Sequence, residues 1–227
     1  MNGKRRTDMK FIPYEVNTGS KNMQIDNKLL DFAIEKELKE PILRLYGWSP
    51  ACVSLGRNQK DDFIDYALLH KKKIDAIRRL TGGRALLHDD EITYSYITPT
   101  SLLPHGDNVD GSYKDISQIL IDRFAKLGIE LEFGGIKKSS HNIDYCMLVA
   151  TGADLCYKGK KLIGSAQFRK NGYILQHGSI LYDYNKELLK EIFKEDINTD
   201  AITTIKEINP EISREDIINL LTPLNIS

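Results

Sequence analysis

Apolar and polar residues alternate along this chain with two periods. Over residues 22–40 the apolar positions are Ile25, Leu29, Leu30, Phe32, Ala33, Ile34 and Leu38. That three-to-four spacing predicts a helix with one buried stripe, ended by Pro41. Residues 9–16 alternate loosely as a strand. Residues 42–48 and 51–55 read as two short strands around the turn pair Ser49-Pro50, and the expected product is a hairpin. Residues 63–73 form a second helix whose Lys71-Lys72-Lys73 run suits a solvated last turn. A strand over 75–80 then delivers Arg78 and Arg79 into Thr81-Gly82-Gly83-Arg84. Residues 85–87 resume as strand, His88-Asp89-Asp90 makes a polar turn, and 91–98 alternate as strand.

The second half continues the same way. Residues 103–111 carry Pro, Gly, Asn and Asp and read as loop, and 112–127 have helical periodicity closed by Gly128. A strand is expected over 129–133 and a polar loop over 134–145. A strand–turn–strand follows, with its turn near Gly159. Helices are expected at 186–193, more weakly at 201–205, and at 213–221, the last opened by a Ser213-x-x-Asp216 cap. Strands mixed with helices, without repeats, are consistent with an α/β chain.

Length and charge narrow the function. At 227 residues the chain is long enough for a full core and is expected to form one domain over 1–227. Lys+Arg and Asp+Glu both number 32, which removes any bulk electrostatic case for nucleic acid or an anionic membrane. No apolar run approaches the roughly 18 residues of a membrane span, and the basic opening MNGKRRTDMK lacks an apolar segment behind it, so a cytoplasmic protein is expected. Three cysteines, Cys52, Cys146 and Cys156, cannot all pair internally, and none has metal-site spacing. Neither a metal nor a cofactor is expected.

Two stretches carry candidate chemistry. Residues 146–180 hold Cys146, Lys161, Gly164-Ser165 and His177. A thiol reacts as thiolate and a nearby cation lowers its pKa, so folding that joins Cys146 to Lys161 makes an activated nucleophile. Cysteine is among the most buried residue types and is more often inert packing than catalytic, the role expected for Cys52 and Cys156. The double glycine Gly82-Gly83 serves either a tight turn or a close backbone approach to a ligand. His88 and His177 read as structural histidines or as site residues.

Several ordered motifs together resemble the biotin/lipoate ligase and octanoyltransferase family, in particular octanoyltransferases of the LipM type. Asn22-Met23-Gln24-Ile25-Asp26 is similar to the opening of the family's first helix. Tyr46-Gly47-Trp48-Ser49-Pro50 with Ser54-Leu55-Gly56-Arg57-Asn58-Gln59 resembles its Y-x-W-x-P…S-L-G-x-x-Q segment. The run from Arg78 through Thr81-Gly82-Gly83-Arg84 to His88-Asp89 is similar to R-R-x-T-G-G-R-A-x-x-H-D, and Gly159 through Gln167 to G-x-K-x-x-G-S-A-Q. Gln176-His177-Gly178-Ser179-Ile180 completes a resemblance over residues 9–183.

The resemblance implies an α/β (α+β) fold in which a central mixed sheet is flanked by helices, a reaction and a set of residues. The acyl-thioester cysteine falls on Cys146 and the family lysine on Lys161, fifteen residues later. Substrate-binding positions are implied at Arg79, Gly82, Gly83, Arg84, His88, Gly164, Ser165 and His177. The implied donor is octanoyl-acyl carrier protein, and the implied acceptor is a lysine of a lipoyl domain or of glycine-cleavage H protein. Gly56-Arg57-Asn58-Gln59 is closer to ATP-dependent lipoate ligases, whereas Arg84 stands where their motif has a third glycine. The ligase, or a non-catalytic assembly subunit, is therefore the alternative reading.

Overall fold

The computed structural model describes residues 9–135, 154–193 and 199–223. In chain order the first half forms β1 (Lys10–Asn17), α1 (Gly19–Glu35), β2 (Ile42–Trp48), β3 (Cys52–Leu55), α2 (Tyr66–Lys72), β4 (Asp75–Arg78), β5 (Leu86–His88), β6 (Glu91–Pro99) and α3 (Val109–Phe124). The second half forms β7 (Leu131–Phe133), β8 (Leu155–Tyr157), β9 (Lys160–Lys170), β10 (Tyr173–Leu181), α4 (Lys186–Phe193), α5 (Ile205–Ile208) and α6 (Arg214–Leu221). The strands build two sheets. A seven-stranded sheet has the order β1-β2-β6-β10-β9-β8-β7, and a three-stranded sheet the order β4-β3-β5. Both are mixed: β1 runs parallel to β2 and β4 parallel to β3, while the remaining pairs are antiparallel.

Helices cover both faces of the large sheet. Helix α1 packs on β2, β6 and β10 and also touches β4, so it lies between the two sheets. On the opposite face Leu43, Tyr94 and Tyr96 meet Ile116, Ile119 and Leu120 of α3 and Leu221 of α6. Covered twice, β6 and β10 are buried at every position, so the polar residues that alternate along β6 face the interior between the sheet and α1 rather than solvent.

Local signals set the helix ends. Thr18 caps α1 by accepting the Lys21 N–H, so the helix begins three residues before the predicted start. It ends at Glu35, where Lys36 and the left-handed Glu37 (φ 46°) close it well before Pro41. Phe32, assigned to the buried stripe, is exposed, and the inner face holds Asn22, Asp26, Leu30 and Ala33 instead. Asp65 caps α2, which starts after Phe63; Asn108 caps α3, which starts at Val109 inside the predicted loop and passes into a 3-10 turn closed by Gly128. Ser213 and Asp216 form the expected capping box of α6.

Three further expectations need correction. Strands β2 and β3 do not form a hairpin. The chain turns at Ser49-Pro50, where the peptide is cis, and each strand joins a different sheet, because β3 finds its partners in β4 and β5. His88 is not in a turn but ends β5, buried. Residues 201–205 are not a helix: a 3-10 turn over Thr199–Ala201 leads to a bridge between Ile202 and Lys161, and α5 begins at Ile205. Of the predicted loop 134–145, residues 136–145 lie outside the described residues, as does Cys146.

Candidate active site

Cross-strand register places small and polar residues in rows on the α1-facing side of the sheet. Gly164, Ser179, Thr93 and Tyr46 form one row across β9, β10, β6 and β2, and Ala166, His177, Ser95 and Arg44 form the next. Small side chains in mid-sheet leave room above them. That room is a cavity of about 50 Å³ between the large sheet, the small sheet and α1. Its wall includes Trp48, Ser54, Arg79, Gly83, His88 and Met23, and its floor Gly164, Ser165, Ala166, His177 and Ser179.

Arg79 organises the double-glycine segment. Its Nη1 donates to the carbonyl (2.7 Å) and Oγ (2.8 Å) of Ser54 on β3. Its Nη2 donates to the carbonyls of Gly82 (3.1 Å) and Arg84 (2.7 Å), and its Nε to Thr81 Oγ1 (3.3 Å). The segment is thereby tied to β3 from inside. Gly83 has φ 93°, a region suited to glycine. A Cβ on Gly56 would lie 1.8 Å from the Gly83 carbonyl oxygen, so the two backbone segments touch.

Two carboxylate–histidine–hydroxyl chains converge on this arginine. On one side His177 Nε2 lies 2.7 Å from Thr81 Oγ1 and its Nδ1 3.5 Å from Asp26 Oδ2. Asp26 is buried but paired, accepting from Arg44 Nη1 at 2.7 Å and from Tyr46 OH at 2.9 Å. Burial and the adjacent Asp26 push the Tyr46 phenol well above its usual range, so it stays a donor. On the other side His88 Nε2 lies 2.7 Å from Ser54 Oγ and its Nδ1 faces Glu91 Oε1 at 3.7 Å. The His88 ring stacks on Trp48 with centroids 3.8 Å apart, and Trp48 Nε1 donates to Thr93 Oγ1. Burial holds the His88 pKa below the ordinary histidine value, Glu91 opposing and Arg79 and His177 adding to the effect.

Lys161 has a buried setting of its own. It is 1% exposed, and its Nζ lies 3.0 Å from Asp154 Oδ2. The other Asp154 oxygen accepts the N–H of Ser165, a residue of the cavity floor, at 3.3 Å. Lys161 therefore connects to the cavity through Asp154 rather than lining it. Cys52 and Cys156 are buried, and burial raises the Cys52 pKa far above the usual thiol range, with Asp75 adding to it.

Of the residues singled out from sequence, Arg79, Gly83, His88, Gly164, Ser165 and His177 line this one cavity. Gly82 and Arg84 belong to the segment that Arg79 ties down, without lining it. Sequence reasoning named Asp26 and Ser54 only as members of motifs, not as site residues, and missed Arg44, Glu91, Thr93 and Asp154. A signal existed for Asn22 and Asp26: helical spacing puts both on the face of Leu30 and Ala33, where a polar residue needs a partner. Among the described residues no group of three or more His, Cys, Asp or Glu could hold a metal ion, and no helix is long and apolar enough to cross a membrane.

Known proteins resemble the chain over most of its length. Residues 18–223 match the family model described as lipoyl protein ligase A/B catalytic domain. The chain is 41% identical over 194 residues to Octanoyltransferase LipM of Staphylococcus epidermidis, covering 79% of this chain and 69% of that protein. It is 34% identical over 222 residues to Octanoyltransferase LipM of Macrococcus caseolyticus, covering 89% and 80%. Among solved structures, a lipoate-protein ligase A bound with ATP superposes with a TM-score of 0.75 at 19% identity, covering 94% of this chain and 82% of that one. The fold is thus the biotin/lipoate ligase catalytic fold.

Proposed function

Given that the chain belongs to the lipoyl protein ligase A/B catalytic-domain family, we propose that it is a protein N-octanoyltransferase of protein lipoylation, acting as a single cytoplasmic catalytic domain. The donor in this reading is octanoyl-acyl carrier protein, and the acceptor is a lysine of a lipoyl domain or glycine-cleavage H protein. One observation carries it: six of the eight substrate-binding positions that the resemblance implies meet around one cavity, in a chain 41% identical to a protein named octanoyltransferase.

The proposed chemistry runs in two displacements. The Cys146 thiolate attacks the carrier thioester; its sulfur bonds to the acyl carbon as the carrier sulfur leaves and takes a proton. The acceptor amine then attacks the acyl-enzyme, forming the amide, losing a proton and returning Cys146 as thiolate. Exchange of one thioester for another needs no further activation, so neither nucleotide nor magnesium enters. Lys161 is assigned to the thiolate and the developing oxyanion. Asp154 at 3.0 Å supports that assignment by fixing the ammonium in the interior. Arg79, Gly82, Gly83, Arg84, His88, Gly164, Ser165 and His177 are assigned to holding the acyl group.

The test is transfer from octanoyl-carrier protein to a lipoyl domain in EDTA without nucleotide. Amide formation on the acceptor lysine is expected. Strict dependence on ATP with free octanoate or lipoate would replace this reading with an adenylating ligase.

A further inference from the structure

We propose that Glu91 is a positioning residue: through His88 and Ser54 it fixes Arg79, and through Arg79 the 81–84 segment at the wall of the cavity. The activity part of this proposal rests on the acyl-transfer reading; the structural part does not.

The chemistry above leaves Glu91 without a task, yet it is a carboxylate 2% exposed in the heart of the fold. Ionised carboxylates are seldom buried without a reason, because removing the charge from water is costly. Its oxygens face the Thr93 hydroxyl at 2.7 and 2.9 Å. One of them also faces His88 Nδ1 at 3.7 Å, longer than an ordinary hydrogen bond but close enough to act on the ring by charge.

The Glu91 charge, with the donor and acceptor capacities around Ser54, then assigns the His88 tautomer. Arg79 can only donate, so at 2.8 Å Ser54 Oγ accepts from it. The remaining hydroxyl hydrogen of Ser54 is available to His88 Nε2 at 2.7 Å. The Glu91 carboxylate facing Nδ1 draws the ring proton to that nitrogen, so Nε2 is left to accept the Ser54 hydroxyl. The opposite tautomer would aim the Nδ1 lone pair at that carboxylate and leave the Ser54 hydrogen without His88 as its acceptor, while Oγ accepts from both Nε2–H and Arg79. Glu91 thus selects the tautomer that lets Ser54 hold Arg79. The groups facing His88 are Glu91 from β6, Arg79 from the segment after β4 and His177 from β10, and burial keeps the ring neutral, as this arrangement requires. The Asp26–His177–Thr81 chain grips Arg79 Nε in the same way from the other side.

The experiment combines nitrogen-15 spectra of labelled histidine, recorded on the full chain at neutral pH, with steady-state octanoyl transfer. Wild type should show His88 as the Nδ1–H tautomer. Glu91→Gln should move it toward Nε2–H and lower kcat about tenfold or more, as expected when a wall segment shifts by a fraction of an ångström. Ser54→Ala removes only the hydroxyl and serves if Glu91→Gln does not fold; His88 should remain Nδ1–H while kcat falls by a similar factor. His88 as Nε2–H or imidazolium in wild type would overturn the proposal. So would a Glu91→Gln variant with unchanged tautomer and kcat, or Ser54→Ala with unchanged kcat. The spectra need no substrate, so a wild-type protein that fails to transfer octanoyl groups contradicts the proposed function and leaves the tautomer result standing.

Discussion

Strands β6 and β10 present two different surfaces from one backbone. Toward α3 and α6, β6 offers Tyr94 and Tyr96 to Ile116, Leu120 and Leu221. Toward α1 and the small sheet they offer Thr93, Ser95, His177 and Ser179, with Arg44 and Tyr46 beside them on β2. The apolar side tolerates approximate solutions, since burial is non-directional and adds area by area. On the polar side each group needs a partner of the right kind at the right distance, because an unmatched donor or charge in the interior is penalised in full. There Asp26 is matched by Arg44 and Tyr46, and Arg79 by five oxygens. Ser179, by contrast, has no hydrogen-bond partner among the described residues and lines the cavity. One face supplies stability by packing, whereas the other spends structure on holding a site.

The contrast is broken most severely by single deletions on either face. Arg44→Ala leaves Asp26 buried without its cation and should lower the unfolding free energy by about 3–5 kcal/mol, measured by urea titration. Phe124→Ala, at a fully buried position of the apolar core, should cost a similar 3–5 kcal/mol. The two should differ in activity. Phe124→Ala keeps kcat in its folded fraction, while Arg44→Ala loses it, since Asp26 no longer meets His177 as before. A smaller effect is tied to pH. The native His88 pKa is depressed, so below about pH 6.5 the unfolded chain binds a proton that the folded protein resists. Stability should fall as pH drops through that value, by up to about 1.4 kcal/mol per pH unit, until native His88 itself titrates. His88→Gln should remove this component of the slope.

Smaller still is Ser179→Ala. Removing a buried hydroxyl without a partner should change stability by less than about 1 kcal/mol, and a large loss on thermal melting would mean that the hydroxyl is satisfied in solution. Cys52→Ala should retain octanoyl transfer, and native Cys52 should resist iodoacetamide at pH 8, because its raised pKa keeps the thiol protonated.

These two faces also explain what was legible in the sequence. Periodicity located most elements, and the Ser213-x-x-Asp216 box fixed the start of α6, because such signals act within a few residues. The assignment of β2 and β3 to different sheets was not legible, since it depends on β4 and β5 arriving later in the chain. The site divides in the same way. Arg79, Gly83 and His88 were found through a contiguous motif, but Glu91 and Asp26 act on them across strands and a helix, and no local spacing links these positions. Asp154 was missed for the same reason: its meaning as a partner of Lys161 depends on β8 folding back beside β9.

The central claim is a covalent acyl-enzyme at Cys146, and intact-mass measurement after mixing the protein with octanoyl-carrier protein tests it most directly. The account predicts one octanoyl group added as a thioester to wild type, sensitive to hydroxylamine and discharged by a lipoyl domain, with no such adduct on Cys146→Ala. An unmodified wild-type mass, or a Cys146→Ala variant that transfers octanoyl groups at the wild-type rate, would contradict it.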